Sequence, residues 1–440
     1  MTWGRREVCD TGQPVGGRRQ VVESEYDVVV VGAGMAGLVA ALDLVAAGCT
    51  VTVLEREARP GGRVASDHRS GFTLDRGFQL LNTSYPQVRR RLDLPALDPR
   101  PFTAGALVRY AGRLHRLGDP RRHPADLPAT IGSSLLPWQA KLALAAYSAD
   151  VGFTPVRRLL QAEETTAAES LRRRRLAGPA VERFLRPFLS GVLAEDQLTT
   201  SSRFVDLVWR SFVRGTVIVP AAGMGAIPAQ VTDRLPAGAL RTGVEVEEVA
   251  PGLVRYDGNE VRARAVVVAT DPATAGRLLP GLRIPPLRGL TTYYHAAPEP
   301  PLAEPTLLLD GAEDRTIVNT VVLTAAAPSY STDGRALIST SVLGPTGRGG
   351  GAPPDESELR PRLSALYGVP TDSWEHVETA VVREALPAAP PPLGDLRKPV
   401  DLGEGLFVAG DHRDTPSTQG AMASGTRAAR AVLRHLGDAG

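Results

Sequence analysis

Gly32, Gly34 and Gly37 stand at G-x-G-x-x-G spacing directly after the valine run 28–31. Glycines so placed suit one task, the seating of a pyrophosphate on backbone. The first permits the tight turn, the second lets backbone approach the phosphates, and the third lets a helix pack closely on a sheet. Met35 and Ala36 would open that helix, where unpartnered N–H groups and the helix dipole favour negative charge. Glu55 lies 23 residues after Gly32, the spacing at which a carboxylate accepts from a ribose 2′-OH. A glycine turn that merely packs accounts for the glycines but not for Glu55. The set reads as a dinucleotide cradle.

Such residues need a βαβ unit to position them. Residues 27–31 read as a buried strand, 36–47 as a helix stopped by Gly48, and 50–54 as a second strand running into Glu55. Beyond it, 91–130 is rich in Pro and Arg, with one strand pair near 105–117, and 134–212 has a helical pattern. Strands return over 237–270 and 289–343, followed by a Gly/Pro-rich connector at 344–355, one helix and a strand near 376–383. A proline cluster at 387–392 marks another boundary. A strand at 405–409 then leads into a closing helix from about 420 to 436.

Composition bounds the function classes. At 440 residues, 43% hydrophobic and 22% charged, the chain exceeds one core and is too apolar for disorder. A net charge of +2 leaves no electrostatic footprint for nucleic acid. Only two of the 50 basic residues are lysine, Lys141 and Lys398, which with 45 glycines and 37 prolines reads as the composition of a GC-rich bacterium. Cys9 and Cys49 make neither a disulfide framework nor a cysteine metal site, and no metal is expected. The longest nearly apolar run, 28–42, falls short of the ~20 residues of a membrane span. The stretch 131–147 is apolar enough either for peripheral membrane contact or for burial against the rest of the chain. Residues 1–24 read as a mobile tail. The pair Arg18-Arg19 raises an export signal, but the acidic break and the cradle that follow favour a cytoplasmic protein. Oligomeric state is left open.

Arg56 follows Glu55, and Gly61-Gly62-Arg63 closes the segment. Residues 27–63 resemble the N-terminal FAD-binding segment of the flavin-containing amine oxidase and phytoene desaturase superfamily. The resemblance implies FAD, with Arg63 beside the phosphates or flavin and Arg56 in the same site. Later segments are similar to the same family. Val246 begins a stretch like the strand whose backbone touches adenine, and 265–272 resembles the strand and turn after it. Gly410-Asp411 and Gln419-Gly420-Ala421 resemble the closing FAD motif. There Asp411 would hold the ribityl–pyrophosphate side, and the last helix would aim N–H groups at the flavin. The resemblance implies an α/β fold: a discontinuous Rossmann-type FAD-binding domain with a mixed α+β substrate domain. The tail at 1–24 precedes FAD-domain pieces at 25–90, 215–285 and 395–440. The substrate domain takes its helical part from 91–214 and its sheet part from 286–394.

A flavin enzyme needs little acid–base machinery, because the cofactor carries the hard step. Catalytic candidates are therefore weak: Gln79 in a segment that in the family passes the flavin, Tyr293 and His295 on one face of a strand with Tyr294 on the other, and His412 beside Asp411. His68 is a further candidate. Solvent or core duty explains each of them as well. Amine oxidases of the family carry a lysine near flavin N5, roughly where this sequence has Thr291-Thr292, and an aromatic residue where it has Thr418-Gln419. The family's attachment cysteine is absent too, so non-covalent FAD is expected. The reading is an FAD-dependent oxidoreductase, desaturase-like, moving a hydride from a C–H bond of a hydrophobic small molecule, a biosynthetic intermediate, to flavin N5. A redox-neutral flavin isomerase and an amine oxidase with an atypical site are the alternatives.

Overall fold

The computed structural model describes residues 26–312, 315–344 and 353–438. The tail, with Cys9 and Arg18-Arg19, and residues 345–352 of the connector lie outside them. Five strands run parallel in the order Leu240–Thr242, Val51–Glu55, Tyr26–Val31, Asn259–Val268 and Leu406–Val408. They come from three separated stretches of the chain. The central valines are wholly buried because both faces of the sheet are covered. Val28 and Val30 pack with Leu38 and Val39 of the helix Met35–Ala46, itself packed on the final helix Thr418–Asp438. Val29 and Val31 point the other way, onto Val246, Val254 and Leu278. The strand Asn259–Val268 pairs antiparallel with Leu253–Tyr256 over its first half and parallel with Leu406–Val408 over its second.

The second sheet has seven strands, in the order Glu375–Pro387, Leu287–Ala297, Ala336–Leu343, Asn319–Val322, Leu307–Asp310, Gly105–Tyr110 and Arg113–Gly118. Its one parallel pairing joins Leu307–Asp310 to Gly105–Tyr110, so the hairpin at 105–118 belongs to this sheet and not to the helical layer. Helices Trp138–Phe153, Arg186–Leu193 and Ser202–Arg214 share a core with Ala106, Val108 and Leu117 of that hairpin and with Leu309. On the strand Leu287–Ala297, Tyr294 and Ala296 join the core of the parallel-sheet layer, while Tyr293 and Ala297 pack toward the helix Glu356–Tyr367. The stretch 131–147 divides: Tyr147 is buried, whereas Ile131 and Trp138 are each 64% exposed. Among the described residues no helix is long and apolar enough to cross a membrane.

Candidate active site

A cavity of about 980 Å³ opens at the C-terminal ends of the parallel strands. Its rim takes Gly32, Glu55, Ala269 and Gly410, each at or just past the end of a different strand. Open α/β sheets bind ligands at this place. Gly32 turns the chain with φ +98°, a conformation other residues rarely adopt. A Cβ on Gly37 would lie 2.0 Å from the Gly32 carbonyl oxygen, so the helix can sit against the turn only without one. At Gly34 a Cβ would meet nothing within 4 Å, leaving backbone bare toward the cavity. No side chain caps the helix Met35–Ala46, so its first N–H groups are left for a ligand. This donor set fits a pyrophosphate.

Glu55 serves the turn as well as the cavity. Its Oε2 accepts from the Ala33 N–H at 2.6 Å and its Oε1 from the Glu57 N–H at 2.9 Å. The Gly61 N–H donates to the Ala33 carbonyl at 2.9 Å, which lays the 61–63 turn across the cradle. Arg63 then reaches across the chain. It donates to Asp411 Oδ1 at 2.7 Å and to the Ala385 carbonyl at 2.9 Å. Burial opposes the Arg63 charge, and Asp411 more than offsets it. Glu55 and Asp411 thus each carry a protein contact that sequence spacing does not reveal.

The cavity gathers Gly32, Gly34, Met35, Ala36, Glu55, Arg56, Gly61, Gly62, Arg63, Val246, Gly410, Asp411 and Ala421, together with Gln79. Gly37 lies beneath it as packing. Gln419 and Gly420 do not line it. Gln419 accepts from the Gln87 N–H at 2.8 Å, and a Cβ on Gly420 would lie 1.8 Å from the Thr415 carbonyl. Gln419 thus ties the last helix to the helix Pro86–Arg91, and Gly420 lets it pack on the turn ahead of it.

The substrate-side candidates need correction. Tyr293 and His295 point away from the cavity, because the helix Glu356–Tyr367 covers that face of their strand. Tyr293 OH donates to the Pro354 carbonyl at 2.5 Å, and His295 Nε2 lies 2.9 Å from Glu356 Oε1. Tyr294 lines the cavity in their place. His412 is also off the cavity, and burial pushes its pKa down to about 4, so it is neutral at physiological pH. His68 sits 3.2 Å from Thr73 Oγ1 on the Ser66–Arg69 strand, outside the cavity lining. Gln79 lines the cavity, but its amide donates to the Arg63 and Arg76 carbonyls at 2.7 and 2.8 Å and braces the turn. Neither lysine lines the cavity, and Lys141 donates to the Ile131 and Ser133 carbonyls. At the position where the family lysine is expected, Thr292 Oγ1 accepts from the Phe78 N–H at 3.3 Å.

Phe204 and Val208 are cavity residues that the motifs do not mark, and Asp75, also in the lining, lies in the segment that carries Gln79. Asp75 is buried and accepts from Ser66 Oγ at 2.5 Å, the Met224 N–H at 2.9 Å and Tyr330 OH at 3.0 Å. Its backbone carbonyl accepts from Tyr294 OH at 2.7 Å. Burial raises its pKa to about 6 against those bonds. One residue thereby ties the segment after the parallel sheet to the seven-stranded sheet. Among the described residues no group of three His, Cys, Asp or Glu side chains could hold a metal.

The parallel sheet, the uncapped helix N-terminus and the glycine turn together define a dinucleotide-binding α/β protein. The sequence pattern of the family described as flavin containing amine oxidoreductase matches residues 35–433, and the chain belongs to that family of enzymes. Hydroxysqualene dehydroxylase of Rhodopseudomonas palustris is 27% identical over 92% of this chain and 97% of its own length. Protoporphyrinogen oxidase 2 of Arabidopsis thaliana is 31% identical over 44% of this chain, a match that spans only 38% of that protein. A crystal structure from Exiguobacterium sp. 255-15, provisionally described as a protoporphyrinogen oxidase, superposes with a TM-score of 0.71 at 20% identity, covering 94% of this chain and 99% of the other. The fold is thus that of a flavin oxidoreductase.

Proposed function

We propose that the chain holds FAD without a covalent bond and dehydrogenates a C–H bond of a hydrophobic small molecule. The observation that carries this reading is the make-up of the cavity away from the cradle. Phe204, Val208, Leu290, Tyr294 and Val382 line it, and no lysine does. Bound FAD would supply the acceptor for the hydride. The uncapped helix end and the bare Gly34 would seat the pyrophosphate, Glu55 the ribose, and backbone near Val246 the adenine. Arg63, held by Asp411, would place its charge beside the phosphates, and Ala421 would bring the last helix up to the flavin. Tyr294 and Phe204 would orient the substrate and keep water from the reacting bond. On this reading the FAD domain is assembled from residues 25–90, 215–285 and 395–440, and residues 91–214 and 286–394 form the substrate domain.

The test is anaerobic reduction of the purified protein by a panel of apolar alkenes and of amines. Loss of flavin colour with the apolar compounds, and release of intact FAD on denaturation, is the expected result. A colourless protein that FAD neither binds nor stabilises overturns the reading. Bleaching by amines alone moves the assignment to amine oxidation. A product of unchanged mass, formed only after the flavin is reduced, marks an isomerase.

A further inference from the structure

Beside the first cavity lies a second of about 830 Å³, walled by the helices Val156–Gln161 and Ser202–Arg214, the loop at 394–397 and the turn before the last helix. Tyr85, Phe204, Val208 and Ser417 line both cavities, so a single layer of side chains separates them. The charged lining of the second is lopsided, with six arginines against two aspartates, Asp395 and Asp414. Asp414 is engaged by Arg427 at 3.3 Å. Arg203 has a partner in Glu164 at 3.6 Å.

Of the six arginines only Arg203 is ion-paired to a carboxylate among the described residues; Arg89, Arg157, Arg210, Arg214 and Arg397 are not. Arg210 and Arg214 stand one turn apart on the same helix and both donate to the Gly152 carbonyl, at 2.6 and 3.1 Å. Like charges at this spacing destabilise a helix, and burial together with Arg214 makes Arg210 harder to keep charged. Arg157, exposed at the mouth, makes no hydrogen bond or ion pair among the described residues. Between these guanidiniums and the shared wall the lining is apolar, with Leu160 and Leu207 beside Phe204 and Val208. Arg210 Nη1 also donates to the Val151 carbonyl at 2.6 Å, so one nitrogen of each guanidinium serves the C-terminal carbonyls of the helix Trp138–Phe153, while the remaining nitrogens of both are left without a protein acceptor among the described residues. A planar guanidinium is the group best matched to carboxylate or phosphate oxygens.

We propose that the second cavity clamps the acidic head group, carboxylate or phosphate, of an amphiphilic substrate between Arg157, Arg210 and Arg214, while its hydrocarbon passes Phe204 and Val208 toward the first cavity. Only the passage toward the first cavity rests on the flavin reading; the head-group clamp rests on its own lining.

Calorimetric titration of the full chain with dodecanoate, dodecyl phosphate, dodecanol and dodecyltrimethylammonium, each below its micelle concentration, tests the clamp. Both anions should bind at least tenfold more tightly than dodecanol, and the cation not at all. The tighter of the two anions identifies the head group. The double variant Arg210→Gln/Arg214→Gln should lose that tenfold advantage and leave dodecanol unchanged. Arg157→Gln, at an exposed and unpartnered side chain, should weaken the anions several-fold without touching the melting temperature, so it serves even if the double variant does not fold. Equal binding of dodecanol and dodecanoate, or wild-type affinity for dodecanoate in the folded variants, overturns the clamp. Arginine-dependent binding to a protein that takes up no flavin upholds the clamp and refutes the flavin reading. In a flavin-loaded protein, dodecanoate should perturb the flavin absorption; binding without that perturbation refutes the passage between the cavities.

Discussion

The cradle and the apolar wall face the same cavity but are built from different materials. The cradle is backbone: a turn at Gly32, a helix end at Met35, and a carboxylate at Glu55 that accepts two main-chain N–H groups. It lies within one short stretch of chain. The wall is side chains, from Phe204 and Val208 on one helix, Tyr294 and Leu290 on a strand, and Val382 on the strand paired with it. A backbone site tolerates no added atom where two main-chain segments touch, whereas a side-chain site can be altered one residue at a time. Ligand identity can therefore drift at the wall while the cradle stays fixed.

The largest effect should come from breaking the cradle where it touches itself. Gly37→Ala sets a methyl group 2.0 Å from the Gly32 carbonyl oxygen, and neither partner is a side chain that can turn aside. A loss of about 3 kcal/mol in stability, at the upper end for an overpacked site, is expected from chemical denaturation. Gly34→Val is the complementary probe, because its Cβ points into open space. It should unfold within about 0.5 kcal/mol of the parent and yet purify without flavin. Retention of flavin by Gly34→Val would show that the cradle is misplaced.

The seam between the two regions gives the next effect, and its sign depends on pH. Asp75 has its pKa raised to about 6 from an ordinary 3.8 by burial. Between those values the folded chain holds a proton that the unfolded chain releases, so stability falls as pH rises through the interval. Above pH 6 the cost is complete. Asp75→Asn keeps acceptors for Ser66 and Met224 and removes the charge. It should therefore raise stability at pH 8 by up to about 3 kcal/mol and change little at pH 4. Melting curves of parent and variant at the two values measure the difference. An equal change at both pH values would mean that Asp75 is not protonated more readily in the folded chain.

Legibility follows the same division. The glycines, Glu55 and the 61–63 turn are readable because neighbours in sequence are neighbours in space there, and each residue type has one steric or hydrogen-bonding reason to be present. Gln419 and Gly420 sit in the recognisable motif, yet one bonds the Gln87 N–H of the helix Pro86–Arg91 and the other packs on the Thr415 carbonyl. Alternation along 287–297 places Tyr293 with His295 and opposes Tyr294. It does not say which face meets the cavity. That choice is made by the helix Glu356–Tyr367, some sixty residues later, which covers the Tyr293 face. Phe204 and Val208 carry no local mark of lining a cavity, because an apolar residue at helical spacing looks the same against a core as against an opening.

Those two faces of one strand offer the smallest and most discriminating comparison. Tyr293→Phe and Tyr294→Phe each delete one hydroxyl that donates to a backbone carbonyl, of Pro354 in the first case and Asp75 in the second. Each loss should cost about 1 kcal/mol of stability, so melting temperature alone will not separate them. Catalysis should. Tyr294 lines the cavity and its hydroxyl fixes the segment carrying Asp75 and Gln79, so Tyr294→Phe should slow flavin reduction or raise KM several-fold. Tyr293→Phe should leave both as in the parent, because a whole strand lies between its hydroxyl and the cavity. Equal kinetic loss in the two variants would mean that the wall responds as one rigid unit, and that its side chains are no more separable than the backbone of the cradle.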